Sequence, residues 1–84
     1  MEIHVRLFAS LRSRLPDGTR GRGTLELPDG ADLQKLLDHL DIEPRLAQMV
    51  LVDGQQAPRK RDERLKLVLI HGQTISIFPP VAGG

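Results

Sequence analysis

Apolar and polar positions change period along this chain, and the changes mark its elements. Residues 2–8 alternate, with Ile3, Val5 and Leu7 pointing one way and His4, Arg6 and Phe8 the other. A period of two predicts a half-buried strand. Residues 9–15 fit a short helix or a turn with Leu11 and Leu15 on one face, and Pro16-Asp17-Gly18 breaks it. Thr19-Arg20-Gly21-Arg22-Gly23 reads as a polar loop. Residues 24–27 predict a second strand with Leu25 and Leu27 inward, closed by Pro28-Asp29-Gly30. Then the period lengthens. Leu33, Leu36, Leu37 and Leu40 stand at i, i+3, i+4 and i+7, one stripe of a helix. Asp32 is placed to cap it, and Asp41-Ile42-Glu43-Pro44 ends it, since proline cannot continue a helix. Arg45 to Gln48 can add one further turn.

Met49-Val50-Leu51-Val52 is apolar on both faces and predicts a central strand. Asp53-Gly54 is a type I′ hairpin signal, from which Gln55-Gln56-Ala57 returns. The run from Pro58 to Arg64 is charged, residues 65–69 are not placed by the pattern, and His71-Gly72 is a turn. Thr74 to Phe78 is the last strand. A hairpin, a helix on one sheet face and a final strand predict an α+β fold. The last strand pairs most simply with the first in parallel, with the helix in the crossover. That arrangement is the ubiquitin-like β-grasp, a mixed sheet of four to five strands packed on one main helix. It is expected over residues 1–80, with residues 81–84 as a flexible Gly-Gly tail.

Phasing makes a sharper prediction about the two phenylalanines. If Ile3, Val5, Leu7, Ile75 and Ile77 face the helix, Phe8 and Phe78 lie on the open face of the sheet, near each other. Grouped aromatics there suit partner docking. Alternatively Phe8, at a strand end, turns in over the core edge. The basic cluster Arg59, Lys60, Arg61, Arg64 and Lys66 divides similarly, between steering towards an acidic partner and a solvated loop offset by Asp62 and Glu63.

The tail supplies the candidate chemistry. Pro79 and Pro80 fix φ and lack N–H donors, so they cannot extend a sheet. Gly83 and Gly84 carry no Cβ, which leaves the final carboxylate sterically bare and able to enter a narrow active site. Simple fraying is the plain alternative; the strand-Phe-Pro-Pro context points to a reactive arm.

With 84 residues the chain is expected to form one domain with one small core. A formal net charge of +1 argues against a dedicated nucleic-acid binder. No apolar run approaches membrane-spanning length, and Met1 to Arg6 lacks the layout of a signal peptide. Cysteine is absent, which excludes disulfides, thiolate metal sites and a cysteine nucleophile on this chain. A cytoplasmic protein is expected. His4, His39 and His71 match no metal-ligand spacing, Gly21-Arg22-Gly23 is no phosphate loop, and Asp29, Asp32, Asp38 and Asp41 are explained by capping and solvation. No nucleophile–base pair stands out, so the chain is not expected to be an enzyme in itself or to bind a cofactor or metal.

Ile77-Phe78-Pro79-Pro80-Val81-Ala82-Gly83-Gly84 closely resembles the end of the small subunit of molybdopterin synthase, a ubiquitin-like sulfur carrier of the MoaD/ThiS-like family. Val5 to Arg12 resembles that family's first strand and turn, and Leu27 to Leu33 its approach to the helix. Two departures stand out. His71-Gly72-Gln73-Thr74 replaces a turn that usually reads Asp-Gly-Asp-Glu, and Val52-Asp53 replaces a common Val-Asn pair. Neither touches the tail; both bear on which pathway is served.

The resemblance implies activation by a separate ubiquitin-activating-type adenylyltransferase. That enzyme would use ATP-Mg to adenylate Gly84, and a persulfide donor would provide sulfur for a thiocarboxylate there. Val81, Ala82 and Gly83 would form the inserting arm. Phe8, Phe78, Pro79 and Pro80 would dock in turn on the activating enzyme and on a sulfur-accepting enzyme such as the molybdopterin synthase large subunit. It also leaves other destinations: sulfur for thiamine, cysteine, tRNA or thiocarboxylate natural products, or attachment to lysines as a protein modifier. A plain interaction module with an inert tail is the remaining reading.

Overall fold

The computed structural model of the chain describes residues 1–16 and 19–80. Strand β1 (Glu2–Leu7) alternates strictly between exposed and buried, with Ile3, Val5 and Leu7 inward as phasing predicts. Residues Ala9–Arg14 form a 3₁₀ helix that buries Leu11, and Leu15 follows it into the core.

Strand β2 (Arg22–Glu26) starts earlier than the apolar pattern indicates, so Arg22 and Gly23 belong to the strand and not to a loop. Gly21 explains the shift. Its φ is +76°, and a Cβ there would collide with the carbonyl oxygen of Leu7. The missing side chain lets the chain close onto β1, where the Leu7 amide donates to the Gly21 carbonyl at 2.6 Å. Leu25 is half-buried, and Leu27 is buried just past the strand.

Helix α1 (Leu33–His39) is capped as expected: Asp32 Oδ1 accepts from the Lys35 amide at 2.8 Å, a contact worth about 1 kcal/mol. Leu33, Leu36, Leu37 and Leu40 are all buried. The helix stops at His39, Asp41 turns the chain at φ +57°, and the further turn is a short 3₁₀ helix over Pro44–Leu46. Strands β3 (Met49–Val52) and β4 (Gln55–Gln56) are joined through Asp53 and Gly54 at φ +50° and +84°, the positive pair a type I′ turn requires. Helix α2 (Arg61–Arg64) and strand β5 (Thr74–Phe78) complete the chain's described elements.

The five strands run in the order β2-β1-β5-β3-β4. Strands β1 and β5 are parallel and the other pairs antiparallel. The last strand therefore lies beside the first, with α1 in the long connection that parallel pairing demands. The middle of the sheet is β5, whereas β3 stands between it and the two-residue β4, with only Val50 fully buried. Ile3, Val5, Val50, Ile75 and Ile77 form one core with the leucine stripe of α1, each side chain contributing about 2 kcal/mol by leaving water. The result is an α+β ubiquitin-like β-grasp.

The charged run from Pro58 does not behave as a solvated loop throughout. Arg64 is only 2% exposed. Its Nε donates to the Pro58 carbonyl at 2.7 Å and its Nη2 to the Ala47 carbonyl at 2.9 Å. The guanidinium ties α2 and the loop before it to the entry of β3. Its pKa lies below the usual arginine value, first because burial removes water and second because Arg59 is near.

Candidate functional site

Phe8 closes β1 in extended conformation, with φ −115° and ψ 153°. Its amide still reaches the Ile77 carbonyl of β5 at 3.2 Å. Two further constraints hold the ring in place. The Leu11 amide donates back to the Phe8 carbonyl at 3.1 Å, and Ala9 adopts φ +52°. A left-handed alanine is uncommon and costs energy. Here it bends the chain away at once, so that Phe8 stays on the open face while Leu11 enters the core.

Phe78 arrives on the same face from β5. The two rings stack with centroids 4.2 Å apart and 10° between planes. Both are half-buried, so Phe8 does not turn in over the core edge. Stacking adds about 0.5–1.5 kcal/mol beyond area burial. Met49 of β3 is the register partner of Phe78 and extends the apolar row.

Beside the stacked pair runs a groove of about 810 Å³, walled by Phe8, Ala9, Met49, Phe78, Pro79 and Pro80, with Arg59 and Gln48 also lining it. Phe8 and Phe78 are thus brought together on the open face as the phasing predicts, and Pro79 and Pro80 line the same groove. Met49 and Ala9 were not singled out by sequence, although Met49 sits at an outward position of a strand read as apolar on both faces. Arg59 is the member of the basic cluster that joins the groove; Lys60, Arg61 and Lys66 are exposed and Arg64 is buried. Val81, Ala82, Gly83 and Gly84, on which the reactive-tail expectation falls, lie outside the described residues.

His4 and His39 are exposed, and His71 Nδ1 accepts from the Glu2 amide at 2.9 Å. Among the described residues no group of three His, Cys, Asp or Glu is placed to hold a metal ion, and no helix is long and apolar enough to cross a membrane.

This geometry can be set beside known proteins. The ThiS family model matches residues 5–84. SAMP1 from Haloferax volcanii superposes with a TM-score of 0.69 at 21% identity, covering 100% of both chains. A second structure, H. volcanii small archaeal modifier protein 1, gives 0.66 at 21% identity over 95% of this chain and 98% of that one. A chain from the complex of subunits 1 and 2 of molybdopterin-converting factor from Helicobacter pylori gives 0.60 at 21% identity over 100% of both chains. At these identities the likeness establishes a shared fold. No curated protein sequence matches the chain.

Proposed function

The chain belongs to the ThiS family, and from that premise we propose that it is a ubiquitin-like sulfur carrier whose Gly84 carboxylate is adenylated and converted to a thiocarboxylate, serving molybdopterin synthesis. One observation carries the reading furthest. The stacked Phe8–Phe78 pair and its groove lie where β5 ends, at Pro79 and Pro80, immediately before residues 81–84. A surface that docks a partner there presents the arm to it.

The chemistry explains the need for a second protein. A carboxylate is a poor electrophile. Attack of the Gly84 carboxylate on the α-phosphorus of ATP expels pyrophosphate and leaves an acyl-adenylate, from which AMP departs readily. The outer sulfur of a persulfide donor then attacks the acyl carbon and AMP leaves, giving an acyl disulfide. A second thiol cleaves its S–S bond, leaving a thiocarboxylate on Gly84 and a disulfide on the donor. This chain contributes the arm and the dock; an adenylyltransferase contributes catalysis and ATP-Mg. The sulfur-accepting partner is proposed to be a molybdopterin synthase large subunit, in keeping with the H. pylori complex of two converting-factor subunits. One docking surface makes the activating and accepting enzymes mutually exclusive.

The likeness to small archaeal modifier protein 1 favours a second reading, in which the activated Gly84 is joined to lysine amines. Both readings require activation, and the product separates them. Intact mass, with fragmentation of the C-terminal peptide, is the test on protein from its own source. An oxygen-to-sulfur exchange mapped to Gly84 supports the carrier. An isopeptide to lysine supports the modifier. An unaltered tail after incubation with ATP and the cognate adenylyltransferase refutes both.

A further inference from the structure

The open face of the β1–β2 pair is sorted by charge. Glu2, His4 and Arg6 share the face of Phe8, and their register partners on β2 are Glu26, Thr24 and Arg22. Two carboxylates therefore stand opposite each other at one end, and two guanidiniums at the other, roughly 13 Å away at strand rise. Like charges directly opposite in an antiparallel pair oppose folding. All four side chains are exposed, so water screens the repulsion, yet exchanging one acid with one base would turn both repulsions into attractions. The chain keeps the unfavourable pairing at both ends.

The cationic end adjoins the docking surface. Arg6, Arg22 and Phe8 line one small cavity of about 160 Å³, together with Arg12 and Arg20. Among the described residues, the side-chain ion pair of an arginine is that of Arg45 with Glu43, and it lies elsewhere. Positive charge is thus gathered at one border of an apolar seat, while the acidic end lies away from it.

We propose that Arg6 and Arg22 bind carboxylates of the protein that docks on the Phe8–Phe78 pair, so that the partner's seat is an apolar pocket bordered by Asp or Glu. The inference rests on the carrier reading and extends it to the chemistry of the partner. A guanidinium pair suits this role because each offers a planar fork of donors to a carboxylate. Charge at the border of a seat sets approach and register more than final affinity. The acidic end adds direction, since a partner rotated end for end would meet Glu2 and Glu26 with its own acids. The same end argues against RNA, whose phosphate backbone, running along this face, would meet two carboxylates.

The test is ATP–pyrophosphate exchange by the ubiquitin-activating-type adenylyltransferase of the source organism, with this chain as substrate at low and at physiological salt. Arg6→Glu and Arg22→Glu are compared with the parent. Each converts a like-charge pair into an opposite-charge pair, so the unfolding midpoint should hold or rise. KM for the carrier should nevertheless rise about tenfold or more at low salt, with kcat within about twofold, and the dependence of KM on salt should flatten. An unchanged KM in both variants, with the parent active, overturns this inference alone. So does retention of a polyuridylate probe by the parent that both variants lose. Absence of exchange with the parent overturns the carrier reading and this inference with it.

Discussion

Asp53 holds Thr74 by two hydrogen bonds: its Oδ1 accepts from the Thr74 amide at 2.8 Å, and its own amide donates to the Thr74 carbonyl at 2.8 Å. It does so from a left-handed backbone, φ +50°. The β3–β4 turn is thereby fastened to the start of β5, the strand that ends at Phe78 and the aromatic groove. Asparagine, which the resembled family often carries here, could accept the same bond and tolerates this φ well. Asp53→Asn should therefore change stability by no more than about 0.5 kcal/mol, and Asp53→Ala should cost about 1–3 kcal/mol. Urea unfolding of both variants measures the difference.

Among the described residues Arg64 is the buried charged side chain, held by two carbonyls. Arg64→Ala leaves the Ala47 and Pro58 carbonyls without these donors and opens a cavity, at an expected cost of about 2–4 kcal/mol. The pH dependence has a definite sign. Burial lowers the pKa of this base in the folded state, so its desolvation penalty persists at every pH below the folded value and is relieved only as pH rises through it. Near neutrality the group is protonated whether folded or unfolded, so the loss in Arg64→Ala should be the same on either side of pH 7. Thermal unfolding at several pH values checks this.

Phe78 stands outside the core, stacked on Phe8. Under the proposed function, Phe78→Arg should weaken binding of the adenylyltransferase about tenfold or more while the fold survives, with a stability loss below about 1.5 kcal/mol. Calorimetric titration and circular dichroism of one sample give both numbers. An unfolded variant would place the ring's main role in stability.

Under the proposed function, adding one residue after Gly84 displaces the carboxylate from the arm length that the activating enzyme meets. ATP–pyrophosphate exchange should fall below detection and the unfolding midpoint should not move. Normal exchange in the extended chain would contradict activation at Gly84.

Much of this architecture can be read from periodicity, because one buried face leaves a period of two or 3.6. Ile3, Val5, Leu7 and the leucine stripe of α1 follow that rule, and the same phasing puts Phe8 and Phe78 on the open face. The failures share a cause: backbone groups do the work, and side-chain pattern does not display them. Arg64 lies in a run that looks solvated, and its burial is compensated by carbonyls that no sequence pattern marks. Strand β2 begins at Arg22 because Gly21 has no side chain, and an absent side chain adds nothing to an alternation. Residues 65–69 obey no period because they are stitched to the approach of α1 by main-chain bonds, Leu33 to Leu67 and Leu69 to Ala31. The groove walls Ala9 and Met49 needed the strand register and the turn after Phe8 before they could be placed.

The parallel pairing of β1 with β5 also sets how the molecule bears load. The chain enters β1 at Glu2 and leaves β5 at Phe78, so these two points lie at opposite ends of one strand pair. Tension between Glu2 and Pro80 runs along the strands and strains the hydrogen bonds between them together, in shear. A hairpin pulled from its open end would instead unzip one bond at a time. Strand β3 grips β5 from its other side as well. Under the proposed function, an enzyme that pulls on the chain beyond Pro80 therefore loads every hydrogen bond of these strand pairs at once, an anchored handle for the sulfur chemistry.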